Sequence, residues 1–98
     1  MSDTKIGKIQ EVVIAVENAK DAVALFEDLF GLKFDIQWSM PNENMNVKAA
    51  QIGDTQLHLI ESTSNDGVIA KFINSHGQGL HHIAFKVDNL KNWVIRLK

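Results

Sequence analysis

The sequence predicts an α+β fold: a strand–helix–strand–strand–strand unit, a connecting helix, and then a shorter strand–helix unit. Apolar residues alternate with polar or small ones in 8–16, 47–52 and 55–60, which is typical of strands. Apolar residues recur at helical spacing between positions 18 and 31. A second strand–turn–helix pattern near the C-terminus repeats the first one. These observations together indicate one small mixed domain rather than an all-helical or all-strand protein.

The first strand is predicted to have two unlike faces, because successive side chains of a strand point to opposite sides. One face is β-branched and is assigned to the core: Val12, Ile14 and Val16. Glu11 lies on the other face, with Val13 and Ala15. Asn18 follows as a helix N-cap and Gly31 as the C-cap.

The rest of the first unit is read as three strands. They are placed at 32–38, 47–52 and 55–60, with a loop at 39–45 and a tight turn at Gly53-Asp54. In the last strand, alternation puts His58 on the face opposite Leu57 and Leu59. His58 therefore shares its face with Gln56 and Ile60.

The second unit begins after a polar turn and a short helix predicted at about 66–75. Two glycines, Gly77 and Gly79, precede a strand that starts with two histidines. Strict alternation assigns His81 to the core face, where its role is structural, and His82 to the polar face. A final helix capped by Asn89 is predicted, with these apolar positions: Trp93, Val94 and Leu97.

An internal repeat relates the two units. Residues 11–21 align without a gap onto residues 82–92, and the alignment makes Glu11 equivalent to His82. The sequence therefore predicts a single domain over 1–98, made of a first module, a connector and a partial second module. The boundaries fall at 1–61, 62–77 and 78–98.

Composition limits the classes of function. The 98 residues carry a net charge of −2 and no basic run, so we expect neither nucleic-acid nor membrane partners. There is no cysteine, which excludes thiolate chemistry and fits a cytoplasmic location. A chain of this size buries a modest share of its surface, and we therefore expect a homodimer in which a partner completes the second module.

Several segments resemble the vicinal oxygen chelate superfamily of glyoxalases and bleomycin-resistance proteins, and within it the methylmalonyl-CoA epimerases. The segments that carry the resemblance are Ile14-Ala15-Val16, Leu25-Phe26-Glu27-Asp28-Leu29-Phe30-Gly31-Leu32, Gly53-Asp54-Thr55-Gln56-Leu57-His58-Leu59-Ile60-Glu61, Ile69-Ala70-Lys71-Phe72 and Gly79-Leu80-His81-His82-Ile83-Ala84-Phe85. The resemblance implies a glyoxalase-like βαβββ module and an incomplete second module. It covers nearly all of this chain but only about two-thirds of a typical family member.

The resemblance also implies a site. Family members bind one divalent metal between the modules, and the matching positions here are Glu11, where epimerases usually have His, His58, where relatives have Glu or Gln, and His82. The fourth family ligand has no counterpart in the chain. The family's other catalytic acid falls on Glu43 or Asn44, and we assign it to Glu43. Imidazole and carboxylate suit Co, Zn, Ni or Mn, and a metal-free protein is the alternative.

Three functions follow from this resemblance. The first is a metal-dependent epimerase, isomerase or glyoxalase-like lyase that acts on an acyl-CoA or oxoacid-type substrate through an enolate. The second is a non-catalytic protein of the bleomycin-resistance type that sequesters a small molecule. The third is a truncated relic with an interaction role. Retention of His82 favours the first, whereas the missing fourth ligand and the glutamate at position 11 favour the others.

Overall fold

The computed structural model describes residues 6–87, and it describes 93–96 as a backbone path only. Its elements are β1 (Ile6–Val16), α1 (Ala19–Phe30), β2 (Ile36–Met40), a 3₁₀ turn (Pro41–Glu43), β3 (Met45–Ile52), β4 (Thr55–Ser62), α2 (Val68–His76), β5 (Gly79–Val87) and β6 (Trp93–Arg96). The α+β class and the predicted βαβββ order are confirmed. In the described residues, no helix is long and apolar enough to cross a membrane.

In the part of the chain that the structure describes, the strands form one six-stranded sheet in the order β2-β3-β4-β1-β5-β6. The central strand β1 pairs in parallel with β4 and antiparallel with β5. The parallel pairing requires a crossover, which α1 and the β2–β3 hairpin provide. The strand that opens the chain is therefore paired along both edges.

Helix α1 begins and ends at the residues that the sequence indicated. The Asn18 side chain accepts a hydrogen bond from the Asp21 backbone N–H at 3.0 Å, which satisfies one of the free donors of the first turn. Gly31 adopts a left-handed conformation with φ 68°, and its N–H donates to the carbonyl of Glu27. These two caps define the ends of α1, whose apolar side packs against one face of the sheet.

Both faces of the sheet are buried, which the sequence analysis did not anticipate. Beneath α1, a first core groups these residues: Val16, Ala19, Phe34, Ala50, Leu57 and Leu59. Beneath α2, a second core groups Val13, Ala15, Val47, Ile60 and Ile69. Val13 and Ala15 are 2% and 0% exposed, so the face that also carries Glu11 is as closed as the face assigned to the core. Helix α2 closes it by packing across β1 and β4.

The bounds of the second strand and the type of the final element were predicted wrongly. The second strand begins at Ile36 rather than position 32 and extends to Met40, because residues 32–35 form the connection out of α1. The segment 93–96, predicted as part of a helix, is the strand β6, which pairs antiparallel with β5. A short run of Trp, Val and Ile fits a strand as well as a helix, and the edge of β5 supplies hydrogen-bonding partners. Asn89 and Leu97 lie outside the described residues.

Removing a side chain from the second core tests whether α2 is integral to the fold. Ile69 is 1% exposed, and we expect Ile69→Ala to lower the free energy of unfolding by about 2–5 kcal/mol through lost burial and a residual cavity. The matched control is Ile52→Ala, because Ile52 is 45% exposed and loses little packing. Urea denaturation measures both. Equal, small losses would show that α2 does not pack as described.

Candidate functional site

A cavity of about 450 Å³ lies on the α2 side of the sheet, beyond the N-terminal end of α2. Its polar lining residues are Glu11, Glu43, His58, His81 and His82. Its apolar lining residues are Val13, Trp38, Met40, Met45, Val47, Ile60, Val68 and Ile69. A mostly apolar cavity with a few converging polar groups is the usual form of a small-molecule site.

The sheet register explains why these residues meet. Val13 of β1 pairs with His58 of β4 on one side and with His82 of β5 on the other. The two histidines therefore lie in one row on one face, two strands apart, which corresponds to about 10 Å between their Cα atoms. Glu11 is two residues before Val13 and shares its face. The structure thus brings the three predicted ligands to one cavity.

One contact joins two of the predicted ligands, Glu11 and His58. Glu11 Oε2 lies 3.6 Å from His58 Nδ1, and His58 Nε2 lies 2.9 Å from Oε1 of Gln56. The Trp38 indole contacts the His58 ring edge-on, with centroids 5.2 Å apart. Glu11, Gln56 and Trp38 thus surround the His58 ring, which is only 7% exposed.

Burial decides the charge of His58. It lowers the pKa of the imidazole below its ordinary value of 6.5, and the Glu11 carboxylate opposes this only in part. His58 is therefore neutral at neutral pH and offers a lone pair to a ligand. A neutral imidazole is the form that binds a metal.

A β-bulge changes the role of His81. Val13 pairs with His82 and Ile14 with Leu80, so His81 is an extra residue in β5 opposite one step of β1. Strict alternation had assigned His81 to the core face, away from His82. Instead both rings line the cavity, and their Nδ1 atoms lie 2.7 Å apart. His81 also packs edge-on against Phe72 of α2.

The candidate acid Glu43 lies in the 3₁₀ turn that follows β2, and its side chain lines the cavity at an exposed position. Asn44, the alternative in the sequence analysis, has a left-handed backbone with φ 53° and ends that turn. Of the two residues, Glu43 is the one in the cavity lining. Its catalytic role stays a prediction.

A metal would fit this donor set in part. Glu11 and His58 present a carboxylate oxygen and an imidazole nitrogen close together, and His82 lines the same cavity. Within the described residues, however, no three His, Cys, Asp or Glu side chains are grouped closely enough to hold a metal ion. The assignment of Glu11, His58 and His82 as ligands therefore stays a prediction.

Two residues of this site had escaped the sequence analysis. Trp38 lies over His58 because β2 pairs Trp38 with Val47 of the cavity face. Gln56 was placed on the correct face but given no role. The signal for Gln56 was its spacing of two residues from His58 in the same strand, which puts both side chains side by side.

The structure combines a βαβββ module with a cavity on one face of its sheet. Residues 10–98 match the family described as the Glyoxalase/Bleomycin resistance protein/Dioxygenase superfamily, and the chain belongs to this family. The uncharacterized protein YqjC of Bacillus subtilis is 38% identical over 80 residues, which cover 82% of this chain and 57% of YqjC. Human mitochondrial methylmalonyl-CoA epimerase is 29% identical over 94 residues, which cover 95% of this chain and 53% of the epimerase.

Solved structures agree on the fold. A hypothetical protein from Bacillus halodurans C-125 superposes with a TM-score of 0.76 at 30% identity, over 86% of this chain and 59% of that one. A methylmalonyl-CoA epimerase in complex with methylmalonyl-CoA and NH4+ superposes with a TM-score of 0.78 at 23% identity, over 83% and 60% of the two chains. The present chain spans about half the length of the curated relatives it matches.

The lowered pKa of His58 predicts a pH-dependent stability. Below pH 6.5 the unfolded chain takes up the His58 proton before the folded chain does, so the free energy of unfolding decreases as the pH falls toward the folded pKa. His58→Gln removes this contribution. Between about pH 7.5 and about pH 5 we expect the wild type to lose more stability than the variant, measured by urea denaturation at each pH. Parallel pH profiles would contradict the assignment.

Proposed function

We propose that this chain binds a small acyl-CoA or oxoacid-type ligand in the cavity and, with a divalent metal, acts as an epimerase or isomerase. The observation that carries the proposal is that Glu11, His58 and His82, from three different strands, line one cavity. The relatives named as methylmalonyl-CoA epimerases support this substrate class. Because the chain spans about half of those relatives, the activity is proposed for this site and is not carried over from them.

In this proposal Glu11, His58 and His82 hold the metal, which would supply Lewis-acid stabilisation of negative charge on a substrate oxygen. His58 is suited to the role because its neutral ring keeps a lone pair. Glu43, whose side chain lines the cavity, accepts the proton from the carbon next to the carbonyl and returns it to that carbon. The apolar wall around Met40 and Val47 excludes water from the reacting carbon.

A second function is favoured by the lining itself. Aromatic and aliphatic side chains, including Trp38, Met45 and Ile60, outnumber the polar groups of the cavity. Such a lining suits a non-catalytic protein that sequesters an apolar small molecule, since burial of the ligand alone then supplies affinity. This alternative predicts ligand binding without any metal requirement.

Metal binding separates the two functions. For the metal-dependent enzyme we expect about one Co2+ per chain in a calorimetric titration, and at least a tenfold weaker affinity in each of Glu11→Ala, His58→Ala and His82→Ala. The matched control is His76→Ala, because His76 stacks on Phe72 of α2 and is not among the cavity-lining residues. An unchanged Co2+ affinity in any of the three variants would show that its residue is not a ligand. If the wild type binds no Co2+, the non-catalytic function of sequestering a small molecule is favoured.

Catalysis is tested on the loaded protein with methylmalonyl-CoA, following exchange of the α-proton for deuterium by NMR. We expect exchange in the wild type and a loss of about a hundredfold or more in Glu43→Gln, which keeps the size of the side chain but cannot accept the proton. Asn44→Asp serves as the control at the neighbouring position. Equal exchange rates in the wild type and Glu43→Gln would exclude Glu43 as the base.

We further propose that the protein is a homodimer. Leu25, Leu29 and Phe30 of α1 are 53%, 61% and 65% exposed, which forms an apolar surface on the outer side of that helix. Among the described strands, β6 is the last in the sheet order, so a partner strand can extend the sheet there. A partner chain could complete the second module at that edge.

Sedimentation velocity tests this assembly. We expect the wild type to sediment as a dimer and Leu29→Glu to shift toward the monomer, because a charge in an apolar interface is costly to bury. Ile6→Glu is the control, since Ile6 is equally exposed but lies at the start of β1. A monomeric wild type at micromolar concentration would rule out the dimer. If Leu29→Glu remains a dimer, α1 is not part of the interface.

A further inference from the structure

A chain of hydrogen bonds runs from the β3–β4 turn into the cavity. It begins at Gln51, whose side-chain nitrogen lies 2.8 Å from the carbonyl oxygen of Gly53 and 3.5 Å from that of Thr55. A carbonyl oxygen can only accept a hydrogen bond, so the amide of Gln51 must turn its NH2 group toward the turn. Its Oε1 therefore faces the other way, toward β4.

The next member of the chain is Gln56, which lies directly opposite Gln51 in the β3–β4 register. Oε1 of Gln51 is 3.1 Å from the side-chain nitrogen of Gln56. Because that oxygen accepts, Gln56 must donate through its NH2 group, and its own Oε1 is turned toward His58 at 2.9 Å. Backbone acceptors thus fix the orientation of the Gln51 amide, and Gln51 in turn fixes the orientation of the Gln56 amide.

The last link determines the state of His58. Oε1 of Gln56 is an acceptor, so Nε2 of His58 must carry the proton and donate it. A neutral imidazole holds a single proton, and with that proton on Nε2 the other ring nitrogen holds none. Nδ1 then carries a lone pair, and it faces Oε2 of Glu11 at 3.6 Å.

A cation placed between these two facing acceptors would satisfy both of them. A metal with ligand distances of about 2.0–2.2 Å to nitrogen and oxygen places neighbouring donor atoms roughly 3–3.5 Å apart, so the separation of Glu11 and His58 needs only a small adjustment. A hydrogen-bond acceptor on the far nitrogen also raises the basicity of a metal-binding imidazole.

We propose that Gln56, oriented by Gln51, is a positioning residue that fixes His58 as its Nε2–H tautomer, so that Nδ1 of His58 and Oε2 of Glu11 form a two-donor site for a divalent cation. This inference rests on the proposed function for its use of a metal. The tautomer itself follows from the hydrogen bonds and does not require one. The ligand atom of His58 is then Nδ1, which the sequence alone could not distinguish from Nε2.

The tautomer is read directly from the two-bond and three-bond couplings between ring protons and ring nitrogens in ¹⁵N-labelled, metal-free protein at pH 7.5. The His58 signals are assigned by their loss in His58→Gln. We expect the Nε2–H tautomer in the wild type. In Gln56→Leu the acceptor is gone and Glu11 becomes the acceptor facing the ring, so we expect the Nδ1–H tautomer to be populated.

Two further variants separate the relay from a general effect on packing. Gln56→Glu keeps an acceptor beside Nε2, and we expect it to retain the Nε2–H tautomer. Gln37→Leu makes the same chemical change on β2, where Gln37 bonds Lys48 rather than His58, and we expect it to leave the tautomer unchanged. Gln51→Leu frees the amide of Gln56 to turn over, and we expect a mixture of the two tautomers.

Cobalt titration supplies the second readout. We expect Gln56→Leu to weaken Co2+ binding by about 10- to 100-fold and Gln56→Glu to restore it, as for other groups that orient a metal ligand. An Nδ1–H tautomer in the wild type, or an unchanged tautomer in Gln56→Leu, would overturn the proposal. If the wild type binds no Co2+, the metal-dependent function fails, whereas the NMR result still decides whether Gln56 fixes the tautomer.

Discussion

The pairing of β1 along both of its edges is the constraint on which the other features depend. Its parallel pairing with β4 completes the first module, and its antiparallel pairing with β5 joins the second module to the sheet. Because β1 supplies alternate side chains to both faces, it contributes Val12 and Val16 to the α1 side and Val13 to the α2 side. A change in its register by one residue would exchange these two sets and turn Glu11 out of the cavity.

The cavity follows from unequal covering of the two sheet faces. On the α1 side, a twelve-residue helix lies along the sheet. On the α2 side, the shorter helix covers β1 and β4 only toward one end, and beyond Ile69 the sheet surface is left as the floor of the cavity. Polar side chains are tolerated there because they have partners: His58 is hydrogen-bonded to Gln56, and His81 contacts His82.

Much of this arrangement could be predicted from local patterns. Alternation placed Glu11, His58 and His82 on a shared face, and the residues Asn18 and Gly31 marked the ends of α1. Each of these signals acts within a few residues of the chain, so each can be read from the sequence. The βαβββ order followed from the same signals.

The remainder depends on contacts that no local pattern encodes. The bulge at His81 arises from the pairing of β5 with β1, and it overrides alternation at that one residue. The strand β6 forms where the edge of β5 accepts it, although the same residues also fit a helix. The link from Gln51 to His58 crosses two strands and depends on which way each amide is turned. Spacing alone fixes neither the bulge nor the amide orientations.

The antiparallel pairing of β1 and β5 also gives the repeat a spatial meaning. Glu11 pairs with Ala84, Val12 with Ile83, and Val13 with His82. In the repeat, position 11 is equivalent to 82, position 12 to 83 and position 13 to 84. Exchanging the two copies therefore gives the same set of pairs. The two copies are thus related by a local twofold axis through Val12 and Ile83. Glu11 and His82 occupy equivalent places across this axis but differ in chemistry. A planar ligand held across the axis would meet a carboxylate at one end and an imidazole at the other. A site with a nearly symmetric backbone can therefore still distinguish the two ends of its ligand.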